Sequence, residues 1–168
     1  MGNASGRRVT AVTACPSARA CWVTSRPVGP LAPNTEEAGL PDLMVEAAEM
    51  TDPGALLGLL ARASRQVRER CGDILAVLDS GAAVEPEIAA TRAEGARRNR
   101  LGVEMVVERI RGTGGRVDPR ATDIAVALMS AGLHESLVVK SGWSHHDYEA
   151  WLRRTLVAAV LCRPSRTL

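Results

Sequence analysis

Residues 118–161, DPRATDIAVALMSAGLHESLVVKSGWSHHDYEAWLRRTLVAAVL, decide the fold of this chain. Two segments with apolar residues at helical spacing flank a turn formed by Gly142-Trp143-Ser144. Asp118-Pro119 and Ser144 are helix-start signals. A capping side chain accepts a hydrogen bond from a free N–H group of the first turn, and an early proline has no N–H group to satisfy. The stretch predicts two helices that pack against other helices, at about 119–140 (bent at Gly132) and 145–162.

The residues before this stretch also have a helical period. Thr51-Asp52-Pro53 and Glu85-Pro86 are start signals, whereas Cys71-Gly72-Asp73 predicts an interruption and the glycines at 112–115 predict a stop. No strand pattern competes after residue 41. The predicted fold is therefore all-α, a bundle of about five helices, and the three additional helices span about 54–70, 73–82 and 87–111.

The composition fits one globular domain with an aliphatic core. The chain has 168 residues, of which 46% are hydrophobic, with three Trp, one Tyr and no Phe. Its net charge is +2, and residues 41–168 carry 17 basic and 17 acidic side chains. Because no dense basic stripe is present, binding of nucleic acid by this part has little electrostatic support.

The N-terminal region differs from the rest in pattern. Residues 1–40 show no sustained period and contain Pro16, Pro27, Pro30 and Pro33, which block helix interiors and sheet ladders. We therefore expect a disordered or irregular arm at 1–40 and a helical domain at 41–163. The sequence contains no run of 18 apolar residues, so no membrane span is predicted. The spacing of the cysteines matches neither a zinc site nor a disulfide framework. These features predict a cytoplasmic protein without a membrane segment.

Candidate catalytic and metal-binding patterns are weak. His145 and Glu149 share a helix face, but no third ligand lies nearby, so a solvated first turn is the favoured interpretation. The glycines at 112–115 lack the Lys-Ser/Thr that follows in a phosphate-binding loop, and no G-x-S-x-G surrounds a serine. We expect no catalytic site, no metal and no cofactor, so the chain is not predicted to be an enzyme.

Two groups of side chains are candidates for binding. Trp143, Tyr148 and Trp151 lie within nine residues of one another, and they are either ordinary core residues or anchors of a protein interface. The Arg-rich segment at 92–100 also contains glutamate and predicts a solvated helix face. A single arginine turned inward, Arg97, could still serve an acidic ligand.

An ordered series of motifs resembles a known family. Upstream, the series comprises Thr51-Asp52-Pro53 and the segments at 61–65, 74–78 and 86–89. It continues with Ala121-Thr122-Asp123-Ile124, Ala127-Leu128-Met129-Ser130, Leu133-His134, Leu137-Val138-Val139, Gly142-Trp143-Ser144, Tyr148-Glu149-Ala150-Trp151-Leu152 and Thr155-Leu156. From about residue 41 to 161 the chain resembles the C-terminal domain of TetR/AcrR-type transcriptional regulators.

This resemblance implies a homodimer that binds a small hydrophobic or amphipathic effector. The helices at about 119–140 and 145–162 would form the intersubunit four-helix bundle, with interface residues Ile124, Leu128, Trp143, Tyr148, Trp151, Leu152 and Leu156. The three preceding helices would enclose the effector cavity. Its expected lining residues are Leu60, Val67, Arg97, Leu101 and Met105.

The resemblance also implies an N-terminal helix-turn-helix that reads DNA, and residues 1–40 show no pattern for it. We therefore expect a regulator fragment without its own DNA-binding domain, from a truncated gene or an upstream stretch translated in another frame. An alternative function is a helical interaction module that forms a heterodimer with an intact regulator. In either case DNA would be contacted only through the missing domain.

Overall fold

The computed structural model describes residues 40–162 and shows an all-helical bundle in this range. The predicted arm lies outside the described residues, apart from Leu40. Within residues 40–162 no strand forms, and the predicted all-α bundle of about five helices is confirmed. The helices are α1 (Leu40–Glu49), α2 (Pro53–Gly81), α3 (Pro86–Gly112), α4 (Ala121–Leu128), α5 (Ala131–His134, continued as a π-helix over Glu135–Lys140) and α6 (His145–Val160).

Helix α2 is longer than the sequence predicted. It starts as expected, with the Asp52 side chain accepting a 2.6 Å hydrogen bond from the Ala55 N–H and with Pro53 in the first turn. The interruption predicted at Cys71-Gly72-Asp73 is wrong, because α2 runs without a break over 29 residues. A helical glycine costs only about 1 kcal/mol relative to alanine. Burial of the neighbouring Cys71 side chain opposes that cost.

Helices α2 and α3 form an antiparallel hairpin. Pro86 occupies the first turn of α3, as the sequence predicted. The two helices approach closely at the turn, since a Cβ atom at Gly81 would lie 2.8 Å from Ile88 Cδ1. At its other end α3 stops at the predicted glycines, where Gly114 has a φ of 83°.

The helix predicted at 119–140 is split into two pieces. Helix α4 ends at Leu128, and Ser130 takes up an extended conformation with a ψ of 152° before α5 begins. The sequence predicted a bend at Gly132, whereas the structure has a complete break in the helix at Ser130. Gly142, with a φ of 73°, ends the π-helical part, and Ser144 caps α6 by accepting a 3.0 Å bond from the Asp147 N–H.

The core lies between the first half of α2, the second half of α3, α4 and α6. Its most deeply buried side chains, each 0% exposed, include Leu56, Leu57, Ala61, Val107, Ile110, Ala121, Ala125, Leu152, Leu156 and Val160. An isolated antiparallel bridge between Val117 and Leu161 fastens the end of α6 beside the start of α4. Asp118 N–H donates to the Val160 carbonyl at 2.8 Å in this bridge.

Within residues 40–162, no single helix is both long and apolar enough to cross a bilayer. Ala121–Leu128 and Ala131–Lys140 reach that length and hydropathy only together, with a bend of 44° between them.

Candidate functional site

The residues expected to line an effector cavity do not share one surface. Leu60 is buried in the core, Val67 and Met105 are half-buried, and Leu101 is 42% exposed. Arg97 does not turn inward: 60% of its side chain is exposed, and it donates two hydrogen bonds to Glu94, of 2.7 and 2.8 Å. The inward orientation expected for Arg97 is therefore wrong, because a carboxylate three residues earlier on the same helix face holds it outside.

Glu94 is the centre of this surface ion-pair group. Hydrogen bonds from Arg97 and Arg98 lower the pKa of the Glu94 carboxyl to about 2. Both arginines are thereby engaged with a carboxylate of their own helix. This part of α3 is the solvated face that its mixed charge predicted.

The residues expected at a dimer interface fall into two classes. Tyr148, Leu152 and Leu156 are 0% exposed and belong to the chain's own core, so in this conformation they are not accessible to a second subunit. Four others are half-buried and reach the surface of α4, the α5–α6 turn and α6: Ile124, Leu128, Trp143 and Trp151. Trp143 and Trp151 contact each other edge to face, with ring centroids 6.1 Å apart.

Polar side chains from three helices meet where α2, α5 and α6 adjoin. Ser64 and Arg68 lie one turn apart on α2, His134 ends the α-helical part of α5, and His145 and Tyr148 lie in the first turn of α6. We call these five residues the polar cluster. Ser64, His134 and Tyr148 are respectively 6%, 9% and 0% exposed, so the cluster is an internal feature of the bundle.

Short contacts join four of the five members of the polar cluster. The hydroxyls of Ser64 and Tyr148 are 3.1 Å apart and hydrogen-bonded. The His134 ring meets the Tyr148 ring edge to face at 4.9 Å and stacks on the His145 ring at 5.4 Å. Tyr148 is therefore held by both α2 and α5, which makes it the centre of the cluster.

Several polar atoms of the cluster are unsatisfied. His134 Nε2 and His145 Nδ1 are enclosed and have no hydrogen-bond partner among the described residues. A buried polar group without a partner generally costs about 1–3 kcal/mol. Arg68 likewise makes no hydrogen bond or ion pair within residues 40–162, although the charge of Asp79 acts on it.

Burial determines the electrostatics of the cluster. It lowers the pKa of the Arg68 guanidinium and of His134, whose pKa is lowered further by the charges of Arg68 and His145. Burial also raises the pKa of Tyr148, against the opposing effects of the Ser64 hydrogen bond and of Arg68. At neutral pH the cluster therefore holds a neutral His134, a protonated Tyr148 and a cationic Arg68 with few acceptors around it.

The carboxylates near the polar cluster form ion pairs with arginines outside it. Glu149, the residue after Tyr148, accepts from Arg65, which also pairs with Glu69. Asp79 accepts from Arg92 across the α2–α3 hairpin. The cluster thus contains cationic and donor groups, whereas the acidic groups around it are already paired.

Sequence reasoning did not predict the polar cluster. No sequence pattern marked His134 as buried, and it is only 9% exposed. A signal was present at Ser64, a polar residue four positions after Leu60 and seven after Leu57 on the apolar stripe of α2. The pairing of Ser64 with Tyr148 joins residues 84 positions apart, and no local pattern shows it.

Shallow cavities lie on the outer face of α6. One, of about 320 Å³, is lined by His146, Glu149, Ala150, Arg153 and Arg154. Another, of about 410 Å³, lies beside Trp143 and Trp151. Across residues 40–162, no group of three or more His, Cys, Asp or Glu side chains is arranged to hold a metal ion.

No protein-family model matches this chain, and neither a curated protein nor a solved structure is significantly similar to it.

Proposed function

We propose that this chain is the effector-binding and dimerising domain of a TetR-type transcriptional regulator in the cytoplasm. The observation that carries the proposal is the polar cluster, in which two histidine ring nitrogens are enclosed without a hydrogen-bond partner. Binding sites for small molecules are commonly apolar, with a few polar groups that orient the ligand. The ordered motifs from residue 41 to 161 support the assignment to this family. DNA reading would belong to a helix-turn-helix unit outside residues 40–162.

The proposed effector is small and amphipathic. Its polar end would meet the polar cluster, and its apolar body would lie against the aliphatic side chains around α5. Leu137 and Val138 of the π-helical segment are half-buried there and pack against the core. An effector that supplies a partner for both His134 of α5 and Arg68 of α2 would stabilise the arrangement in which α5 holds His134 in the cluster.

The proposed dimer surface consists of Ile124, Leu128, Trp143 and Trp151. Aromatic residues are enriched at the centres of protein contacts, and Trp truncations are among the most costly there. These four side chains are half-buried in the single chain, so a partner could cover the rest of their surface. The fully buried Tyr148, Leu152 and Leu156 would support this surface from beneath.

Effector binding and dimerisation would be coupled through α5. This short segment connects α4 with α6, the two helices that carry most of the proposed dimer surface. A ligand that binds one position of α5 more tightly than another shifts the population toward that position. The spacing of two DNA-reading units joined to the dimer would change with it, which is how a small molecule could regulate transcription.

Two measurements test the proposal. Light scattering at micromolar concentration should give the mass of a dimer, and Trp151→Ala should shift it toward the monomer. Arg111→Ala, at an exposed residue of α3 outside the proposed dimer surface, is the control and should leave the dimer intact. A thermal-shift screen of amphipathic compounds should find ligands that raise the melting temperature, because a ligand bound only by the folded state stabilises it. A monomer that no compound stabilises would refute the proposal.

A further inference from the structure

We propose that the polar cluster binds the carboxylate of a small organic acid, with Arg68 as counter-ion and with His134 and Tyr148 as hydrogen-bond partners. The inference rests on the proposed function, because it names the chemical class of the effector. It follows from the number of donors in the cluster, the absence of a protein counter-ion and the position of α5.

The cluster has more donors than acceptors. The hydroxyls of Ser64 and Tyr148 share one hydrogen bond, so one of their two protons remains free to bond elsewhere. Arg68 offers up to five N–H donors and no acceptor. His134 Nε2 adds an enclosed atom without a partner, on a side chain that is only 9% exposed. A ligand group with several acceptor lone pairs would satisfy these atoms together.

The charge of Arg68 selects among acceptor groups. A metal cation is disfavoured, because Arg68 would repel it inside a poorly solvated site. A neutral carbonyl offers acceptors but leaves a partly buried guanidinium without counter-charge. A carboxylate provides both, and its planar geometry matches the two parallel N–H bonds that arginine donates. An acid is therefore the ligand class that the cluster fits best.

The protein does not provide this carboxylate itself. Glu149 and Glu69 are both engaged by Arg65, and Asp79 is engaged by Arg92. None of these three carboxylates is hydrogen-bonded to Arg68. A carboxylate from outside the chain would supply that bond.

Access to the cluster depends on α5. His134 contacts the α6 residues His145 and Tyr148, and its Nε2 is enclosed, so we expect a ligand to reach this atom when the segment from Ala131 to Lys140 moves away from α6. That segment lies between the extended Ser130 and the positive-φ Gly142, and its second part has π-helical hydrogen bonding, which is frequent at functional sites. These backbone features give α5 two ends about which it can rotate.

Benzoate is the first probe, and benzamide is its neutral counterpart of nearly the same shape. At pH 7.5 we expect benzoate to raise the melting temperature and to give a measurable Kd by calorimetry, with benzamide at least tenfold weaker. Equal binding of the two compounds would overturn the inference. Inorganic phosphate is a third probe, and tighter binding of phosphate than of benzoate would overturn the assignment to a carboxylate.

Arg68→Gln tests the counter-ion. It should weaken benzoate binding at least tenfold, whereas the same substitution at the exposed Arg97 should leave the Kd unchanged. If Arg68→Gln does not fold, Arg68→Lys is the second variant. It keeps the positive charge but lacks the planar guanidinium with its parallel N–H donors, so we expect it to bind benzoate less tightly than the original chain. Full affinity in either Arg68 variant would contradict the inference.

A spectroscopic measurement reports directly on His134. Benzoate should raise the pKa of the His134 ring in an NMR titration, because an adjacent anion favours the protonated form. A His134 titration unaffected by saturating benzoate would overturn its assigned contact. If the thermal-shift screen finds neutral ligands but no acid, only this inference fails. If it finds no ligand of any kind, effector binding in the proposed function fails with it.

Discussion

The two halves of α2 have similar apolar patterns but are covered to different extents. In the first half, Leu56 and Leu57 are completely buried in the core. In the second half, Leu78 is buried, but Ile74 is 46% exposed and Val77 is 66% exposed. An apolar stripe therefore predicts a helix, but the rest of the chain determines whether the stripe is covered.

The two halves are also held by different interactions. The inner half is stabilised mainly by removal of apolar surface from water. The outer half is joined to α3 by the Asp79–Arg92 ion pair, and α3 carries further pairs along its exposed face. Exposed ion pairs contribute little in water. We therefore expect the outer hairpin to open more readily than the inner bundle.

Leu57→Ala should have the largest effect and tests the difference between the halves. Removing a fully buried leucine side chain leaves a cavity, and we expect the free energy of unfolding to fall by about 2–5 kcal/mol. Ile74→Ala in the outer half is the control and should cost less than about 1 kcal/mol. Equilibrium denaturation in guanidinium chloride measures both. Similar costs at the two sites would show that the outer half is covered in solution.

Tyr148→Phe tests the hydrogen bond between the Ser64 and Tyr148 hydroxyls, which joins α2 to α6 near the middle of α2. The substitution leaves the buried Ser64 hydroxyl without its partner, so we expect a loss of about 1–3 kcal/mol. Ser64→Ala and the double variant complete a cycle measured by the same denaturation. If the single effects simply add in the double variant, the two hydroxyls do not interact in solution.

Asp52→Ala tests how α2 begins. Loss of the cap bond to the Ala55 N–H should cost about 0.5–2 kcal/mol. Glu85 stands at the same position before α3 and makes no side-chain cap bond, so Glu85→Ala should change stability much less. Thermal unfolding of the two variants measures the difference. An equal loss in both would show that the cap on α2 does not act in solution.

The smallest effect concerns pH and the polar cluster. Since the pKa of His134 is lowered by burial and by Arg68, the unfolded chain binds more protons than the folded one near and below the ordinary histidine pKa of about 6.5. The stability of the folded state should therefore decrease as the pH falls from 7.5 to 5.5. His134→Gln should flatten this slope in urea denaturation, whereas the exposed His146→Gln should leave it unchanged. An identical slope in both variants would contradict the burial of His134.

Local features of the fold could be predicted from the sequence, and contacts between distant residues could not. The starts of α2, α3 and α6 follow from Pro53, Pro86 and Ser144, because capping depends on residues within one turn. The predicted break at Gly72 was wrong, because tertiary packing of the neighbouring Cys71 outweighs a weak propensity. The polar cluster depends on which helices adjoin, so it could be identified only in the folded chain.

Helix α6 has a consequence for the order of events during synthesis. Its Leu152, Leu156 and Val160 side chains complete the core over α2, and the Val117–Leu161 bridge fastens it there. A ribosome makes α2 long before α6, so the cover over Leu56 and Leu57 stays incomplete until α6 has been made. A nascent chain halted at α5 would thus present an uncovered apolar strip, which favours aggregation or capture by a chaperone.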